Sequence, residues 1–283
     1  MKIFILIFSI FLQEISFSQN SLILGSGADA VGLAEALTSH ISTNSIRYNP
    51  ATFQFANKFT TSFSQTMGFG DTKTNSVFVS FEKEATAVAF NLFSTSINDL
   101  EYRVFPGDPI GKFNYRFIVL QGSYAIKYSE ELSVGATLKS SYEKIFIDEA
   151  FGLYFDLGIL AKLNSNLNIG ASLSNIGLTS KLNNESSSIP NTLRLGLNYT
   201  PINDLILLSD VVLISDQKYK LHFGTQYSWN ILTLQSGYQF GYETKSLTFG
   251  FKIKYSTLSV QYAYQPLNFD LGNVTSFDIS FEL

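Results

Sequence analysis

"LRLGLNYT", Leu193 to Thr200, sets Leu193, Leu195, Leu197 and Tyr199 against Arg194, Gly196 and Asn198. Successive strand residues point to opposite faces, so this stretch has one greasy face and one that is polar or bare. "SLTFGFKIKY" repeats the pattern, with Leu247, Phe249, Phe251, Ile253 and Tyr255 alternating with Thr248, Gly250, Lys252 and Lys254. "LHFGTQYSW", "LSVQYAY" and "SFDISFEL" do the same, and "VFVSF" and "AVAFNLF" do so less cleanly.

Extended along the chain, the alternation predicts strands near 58–67, 74–84, 85–95, 113–128, 131–143, 150–163, 166–177, 191–200, 204–213, 218–229, 231–241, 244–255, 257–265 and 274–283. That makes about fourteen, most of them as long as the roughly 9–11 residues a tilted strand needs to cross a bilayer. Strands of soluble domains are usually about 5–6 residues long. The links alternate in phase. Those after even strands are tight, as at Glu84–Ala85, Asn164–Ser165, Pro201–Asp204 and Asn230. Those after odd strands are longer, as at Ser96–Lys112, Lys144–Glu149, Leu178–Pro190 and Gln265–Asn273. Outer-membrane barrels have short periplasmic turns and longer outer loops, so this phase puts both barrel ends in the periplasm. A secreted sandwich would show the same alternation. Strand length, loop phase, an even strand count and low charge together favour an all-β transmembrane barrel over residues 58–283 with its long loops extracellular.

Composition points the same way. Charged residues are 15% of the chain, too few to coat a soluble surface that ordinarily carries about 25%. Lys and Arg number 19 against 23 Asp and Glu, with no basic cluster, which excludes a nucleic-acid partner. Without cysteine there are no disulfides, thiolate metal sites or thiol nucleophiles. "MKIFILIFSIFLQEISFSQN" joins Lys2 to an apolar run and then small residues, the pattern of a secretory signal peptide over 1–18.

The inward face carries glycine repeatedly, at Gly135, Gly170, Gly196, Gly224, Gly237 and Gly250. Glycine weakens a strand unless something approaches it closely. A barrel of about fourteen strands is too wide to fill with its own wall side chains. The one segment without strand character, 19–57, is the natural filler: a hatch, helical at first and closed by Asn49-Pro50.

"GADAVGLAEA", Gly27 to Ala36, followed by "YNPA", Tyr48 to Ala51, resembles the N-terminal signature of the PorV/PorQ family within the FadL-like group, as the ending "LGNVTSFDISFEL" does that family's C-terminus. The hatch motif falls on Gly27, Ala28, Gly32, Asn49, Pro50 and Ala51. Asp29 stands where the family usually has Arg, Glu35 and Thr52 where it has Gly. The resemblance implies a fourteen-stranded outer-membrane barrel with an N-terminal hatch, and a role beside type IX protein secretion or a related machine.

Chemistry finds little footing. His40 and His222 are the only histidines, and His222, flanked by Leu221 and Phe223, points inward as a wall hydrogen-bonder. The acidic pairs Glu82/Glu84 and Glu130/Glu131 lie at turns without the spacing of a calcium loop. No catalytic, cofactor or metal residue is assigned. Three functions remain: a protein-binding component of a secretion or assembly machine, a FadL-like channel for hydrophobic small molecules, and a general porin. The predicted lining of Asn168, Ser172, Arg194, Asn198, Gln226, Lys252, Gln261 and Asp278 is polar, which favours the first, with other secretion-machine proteins and the surrounding lipid as partners. The outer loop Ser96–Lys112 offers Leu100, Tyr102, Val104 and Phe105 for such contacts.

Overall fold

The computed structural model describes residues 27–55, 58–182, 189–215 and 217–283. The expected signal peptide, the hatch residues before Gly27 and the middle of the 178–190 loop lie outside the described residues. Among the described residues no helix is long and apolar enough to cross a membrane.

The first half of the wall is β1 (Phe59–Met67), β2 (Lys73–Lys83), β3 (Thr86–Tyr102), β4 (Gly111–Lys127), β5 (Leu132–Ile145), β6 (Asp148–Asn164) and β7 (Leu167–Thr179). The second half is β8 (Thr192–Ile202), β9 (Leu205–Ile214), β10 (Lys220–Trp229), β11 (Leu232–Phe240), β12 (Leu247–Tyr255), β13 (Leu258–Pro266) and β14 (Asn273–Glu282). Each strand pairs antiparallel with its chain neighbours, and β1 closes the barrel on β14 in the register Phe63↔Ile279 and Ser64↔Asp278. Closure leaves no free edge, so every wall strand finds both its ladder partners.

Alternation becomes geometry. Leu195, Leu197 and Tyr199 are exposed on the outside while Arg194 and Asn198 are buried within. Phe249, Phe251 and Ile253, like Phe277 and Ile279, join an exposed apolar belt that runs around the wall. Monomers in water rarely expose contiguous apolar surface beyond a few hundred Å². This outside is stable only in lipid, and the fold is a transmembrane barrel of the outer-membrane type.

The wall is uneven in height. β3, β4 and β6 have 17 residues each and β5 has 14, whereas β10 to β14 have 9 or 10. Strands of about 9 residues suffice for an apolar band about 25 Å tall, so the longer ones overshoot the membrane. The expected loop Ser96–Lys112 is therefore mostly wall, with Leu100 and Tyr102 in β3 and only residues 103–110 left as loop. A bulge between Ile97 and Leu100, with Asp99 left-handed at φ 58°, breaks the pairing register. Two-residue alternation fails there, which is why the sequence reads as loop. Likewise the expected link Lys144–Glu149 shrinks to Phe146–Ile147, with Phe146 left-handed at φ 56°.

Candidate functional site

Inside the barrel lies the chain from Gly27 to Phe53, nearly all of it buried. It opens with one short helix, α1 (Ala28–Gly32). Ala34 and Glu35, at φ 54° and 61°, then turn it off in the left-handed region, the Glu35 N–H donating to the Ala30 carbonyl at 2.7 Å. Non-glycine residues there cost about 1–2 kcal/mol each, so tertiary bonds must hold them. At the far end Asn49 folds an Asx turn over Pro50: its Oδ1 accepts the Ala51 N–H at 2.9 Å, and its Nδ2 donates to the carbonyls of Thr38 and Ile159 at 2.8 and 2.9 Å. The motif Asn49-Pro50-Ala51 thus ties the hatch to itself and to β6.

The inward glycines form the seat. A Cβ on Gly135 would stand 2.3 Å from the Pro50 carbonyl oxygen, on Gly158 2.0 Å from Asn49 Oδ1, on Gly170 2.2 Å from the Thr38 carbonyl oxygen, and on Gly224 2.9 Å from that of Leu33. Gly237 meets Ala34, and Gly250 meets the Gly32 backbone. Register makes a belt of them: Gly135 faces Gly158, Gly170 faces Gly196, Gly224 faces Gly237, and Gly250 faces Ala263. Hatch backbone lies where wall side chains would be, and all six glycines named from sequence belong to this seat.

Polar wall groups take up the backbone that this irregular path leaves unpaired. Asp278 on β14 accepts the Ala28 N–H and the Asn44 amide, each at 2.8 Å, and Thr66 on β1 accepts the Gly27 N–H at 3.2 Å. Asn44 also donates to Asp29. Thr248 and Gln239 donate to the carbonyls of Gly32 and Ala34, Ser172 to that of Tyr48. Asp210 on β9 takes both the N–H and the hydroxyl of Thr38, at 3.0 and 2.5 Å, and sits 3.7 Å from Arg194. The strained Glu35 is held by Lys245 at 2.8 Å and Arg194 at 3.8 Å. Burial would push its carboxyl up, but Lys245, His222 and Arg194 outweigh burial and hold it down to about 2. His222 points inward, as its sequence position implies, and bonds the hydroxyl of Tyr242, in the loop after β11, at 2.9 Å.

On the tall side the lumen is filled by the wall itself. Phe93, Phe117, Val119 and Tyr154 pack with Ile189 as a buried cluster, and Arg47 of the hatch lies over the Phe93 ring. Below them Lys139 pairs with Asp156 at 2.7 Å, both almost wholly buried, and Asp156 also accepts the N–H of Asn175, whose φ of 66° marks a bulge in β7. The short side is less full. A cavity of about 290 Å³ opens toward the loops, bounded by Val31, Ala34, Phe69, Leu267 and Val274 with Glu35, Lys245 and Gln239 at its polar edge. A second, of about 330 Å³, lies at the short-turn end among Asp29, His40, Lys252, Gln261 and Asp278. The two share no lining residue, and hatch segments contribute to both.

Of the site residues read from sequence, Gly27, Ala28, Gly32, Asn49, Pro50 and Ala51 come together in the hatch seat. Leu100, Tyr102, Val104 and Phe105 lie apart from it, on the tall hairpin outside the lumen. Tyr102 stacks on Phe146 with ring centres 5.2 Å apart, Phe113 meets Phe146 edge-on, and Val104 and Phe105 are exposed. Sequence reasoning did not single out Asp210, Glu35, Thr38 and Lys245 as functional. A charged residue on an inward strand position beside a glycine, as Asp210 is beside Gly196, was the available signal.

No protein-family model matches the sequence, and no curated protein matches it either. Solved structures do resemble the fold. The toluene transporter TbuX of Ralstonia pickettii superposes with a TM-score of 0.66 at 13% identity, covering 89% of this chain and 98% of its own. The monoaromatic hydrocarbon channel CymD gives 0.70 at 13%, covering 93% and 98%. A Pseudomonas aeruginosa FadL homologue gives 0.61 at 13%, covering 92% and 99%. The fold is that of FadL-like barrels, and these neighbours are transporters and channels, not enzymes.

Proposed function

We propose that the chain is an outer-membrane channel for small hydrophobic molecules, which enter from the loop side and meet the hatch in the loop-end cavity. That cavity carries the reading: a chamber of about 290 Å³ against α1 whose exposed surface is mostly apolar, although Glu35, Lys245, two glutamines and four threonines also line it, in a barrel similar in fold to a toluene transporter and a monoaromatic hydrocarbon channel. It lies near the lower end of the roughly 300–1,000 Å³ usual for ligand sites, which suits a small molecule. The polar lining expected from sequence argued against such a ligand. It is real, but half of it, Ser172, Arg194, Asn198 and Asp278, bonds the hatch, while Val31, Ala34, Phe69, Leu267 and Val274 supply an apolar surface that strand alternation alone does not reveal. The orientation that goes with this reading has both barrel ends and the tight turns periplasmic and the loops extracellular.

The test is entry of toluene into vesicles with a lipopolysaccharide outer leaflet, which slows bare diffusion of hydrophobic solutes. The barrel should speed entry, and Val31→Trp, which fills the cavity, should abolish the gain. Equal entry with and without the barrel would refute the reading.

A second reading is favoured by the tall hairpins, where Val104, Phe105, Ile110 and Ile147 stand exposed around the Tyr102–Phe146 stack. Apolar residues beyond the membrane mark interaction surfaces. This face would dock another outer-membrane protein, as in the secretion-linked role that the sequence resemblance implies. Co-purification in mild detergent, lost when Val104 and Phe105 become serine, would support it.

A further inference from the structure

The turn-end cavity differs chemically from the chamber above the hatch. Strand register places Lys252, Gln261 and Asp278 side by side on β12, β13 and β14, all facing inward. Two strand spacings of about 4.8 Å put the lysine and aspartate backbones roughly 10 Å apart across the cavity wall. Asp278 uses one oxygen for Ala28 and Asn44. Its other oxygen, Oδ1, is buried and meets no donor at full hydrogen-bond geometry, with the Ser64 hydroxyl opposite it on β1 as the weak donor at hand. His40 Nδ1, from the hatch, is likewise buried and unpartnered in the same cavity. Lys252 forms no ion pair among the described residues, whereas its neighbour Lys254 is joined to Glu282.

A carboxylate oxygen with acceptor capacity to spare and an unpaired ammonium thus face one cavity of about 330 Å³, separated by a neutral amide. A buried acceptor left short of a donor is costly, more so when charged, so a ligand that supplies the donor gains affinity there. We propose that the turn-end cavity binds a small zwitterion, its ammonium on Asp278 Oδ1 and its carboxylate on Lys252 Nζ. An uncharged polyol would satisfy the hydroxyls around the cavity but leave both charges unmatched. An anion alone would face Asp29 and Asp278. The site lies at the opposite end of the lumen from the hydrophobic chamber and stands or falls separately from it.

Calorimetric titration of the intact barrel in detergent with glycylglycine tests this, beside N-acetylglycine, glycinamide and glycerol. Glycylglycine should bind saturably, and the two singly charged analogues and glycerol at least about tenfold more weakly, since each loses a charge-assisted bond. Lys252→Gln, which touches no hatch contact, should weaken glycylglycine by a similar factor and leave glycinamide unchanged. Asp278→Asn should weaken glycinamide as well, with unchanged protease resistance of the hatch, beside heat-modifiable gel mobility of the barrel, confirming that each variant keeps the cavity. Equal binding of glycerol or N-acetylglycine, indifference to Lys252→Gln, or no saturable binding of any probe would overturn the proposal.

Discussion

The tall wall, β3 to β6, and the short wall, β10 to β14, present the same apolar face to lipid but fill the lumen from different sources. Behind the tall wall the inward positions are large, as at Phe93, Phe117 and Tyr154, or form the Lys139–Asp156 pair. Behind the short wall small residues that seat the hatch, as at Gly224, Gly237, Gly250 and Ala263, alternate with long polar ones, as at His222, Gln239, Lys252 and Gln261, and the hatch supplies the bulk. Outward residues answer only to the bilayer and are interchangeable in kind. Inward residues answer to what lies against them, and each is specific to its place. A barrel too wide for its own side chains can therefore be solid on one side and leave cavities on the other.

The sharpest way to break the contrast is Lys139→Met. Removing one member of a fully buried pair leaves Asp156 without its cation and should cost about 3–5 kcal/mol in urea unfolding from detergent. The double change Lys139→Met/Asp156→Leu should recover only part of it, because an apolar pair needs no desolvation but leaves the Asn175 N–H and side-chain oxygen without their partners. Losing one hatch bond behind the short wall, as in Thr248→Val, should cost only about 1 kcal/mol.

Leu195→Arg probes the face both walls share. Near the bilayer midplane it should cost about 2–4 kcal/mol, read from folding into lipid vesicles. Full stability in lipid would show that the outward assignment fails.

Third in size is the seat. Gly170→Ala forces a methyl against the Thr38 carbonyl, a backbone atom that cannot swing aside, and should cost about 1–3 kcal/mol. Gly122→Ala on β4, where the nearest foreign atom is a Phe90 ring carbon at 3.9 Å, should be nearly silent. Protease sensitivity of the hatch should rise in the first variant alone.

These variants also mark how much was legible. All fourteen strands exist where the alternation places them, and thirteen end within a few residues of it, since each strand's outward residues report the same solvent, lipid. The glycine seat was legible because a bare residue in a strand implies a close neighbour. The tall hairpin was not, because the bulge at Asn98–Asp99 shifts the phase of alternation and hides the three further pairs from Leu100 to Tyr102. Nor were the cavities, which depend on how the hatch folds back through Ala34 and Glu35, two left-handed residues that nothing in their chemistry announces.

Acid should loosen the hatch before the wall. Glu35 titrates near 2 in the folded protein against 4.5 unperturbed. Its stabilisation is thus complete above about 4.5 and lost as pH falls through about 2. Limited proteolysis should find hatch cleavage rising over that window while gel mobility of the barrel stays folded. Lys245→Gln should shift the onset to higher pH by removing the nearest cation.

The smallest effect is expected on the tall hairpin. Phe105→Ser removes an exposed ring from a loop beyond the membrane, with no burial to lose, and should change unfolding free energy by no more than about 0.5 kcal/mol. Tyr102→Ser removes a half-exposed ring stacked on Phe146 and should cost about 0.5–1.5 kcal/mol. The difference separates two uses of one crown. If its aromatics only brace the hairpins, Tyr102→Ser matters and Phe105→Ser changes nothing measurable. If the crown docks a partner, Phe105→Ser should leave stability and toluene entry intact yet lower partner recovery, because an exposed anchor acts only in the complex. A Phe105→Ser variant that lost stability instead would mean that the loop packs on the barrel and offers no docking face.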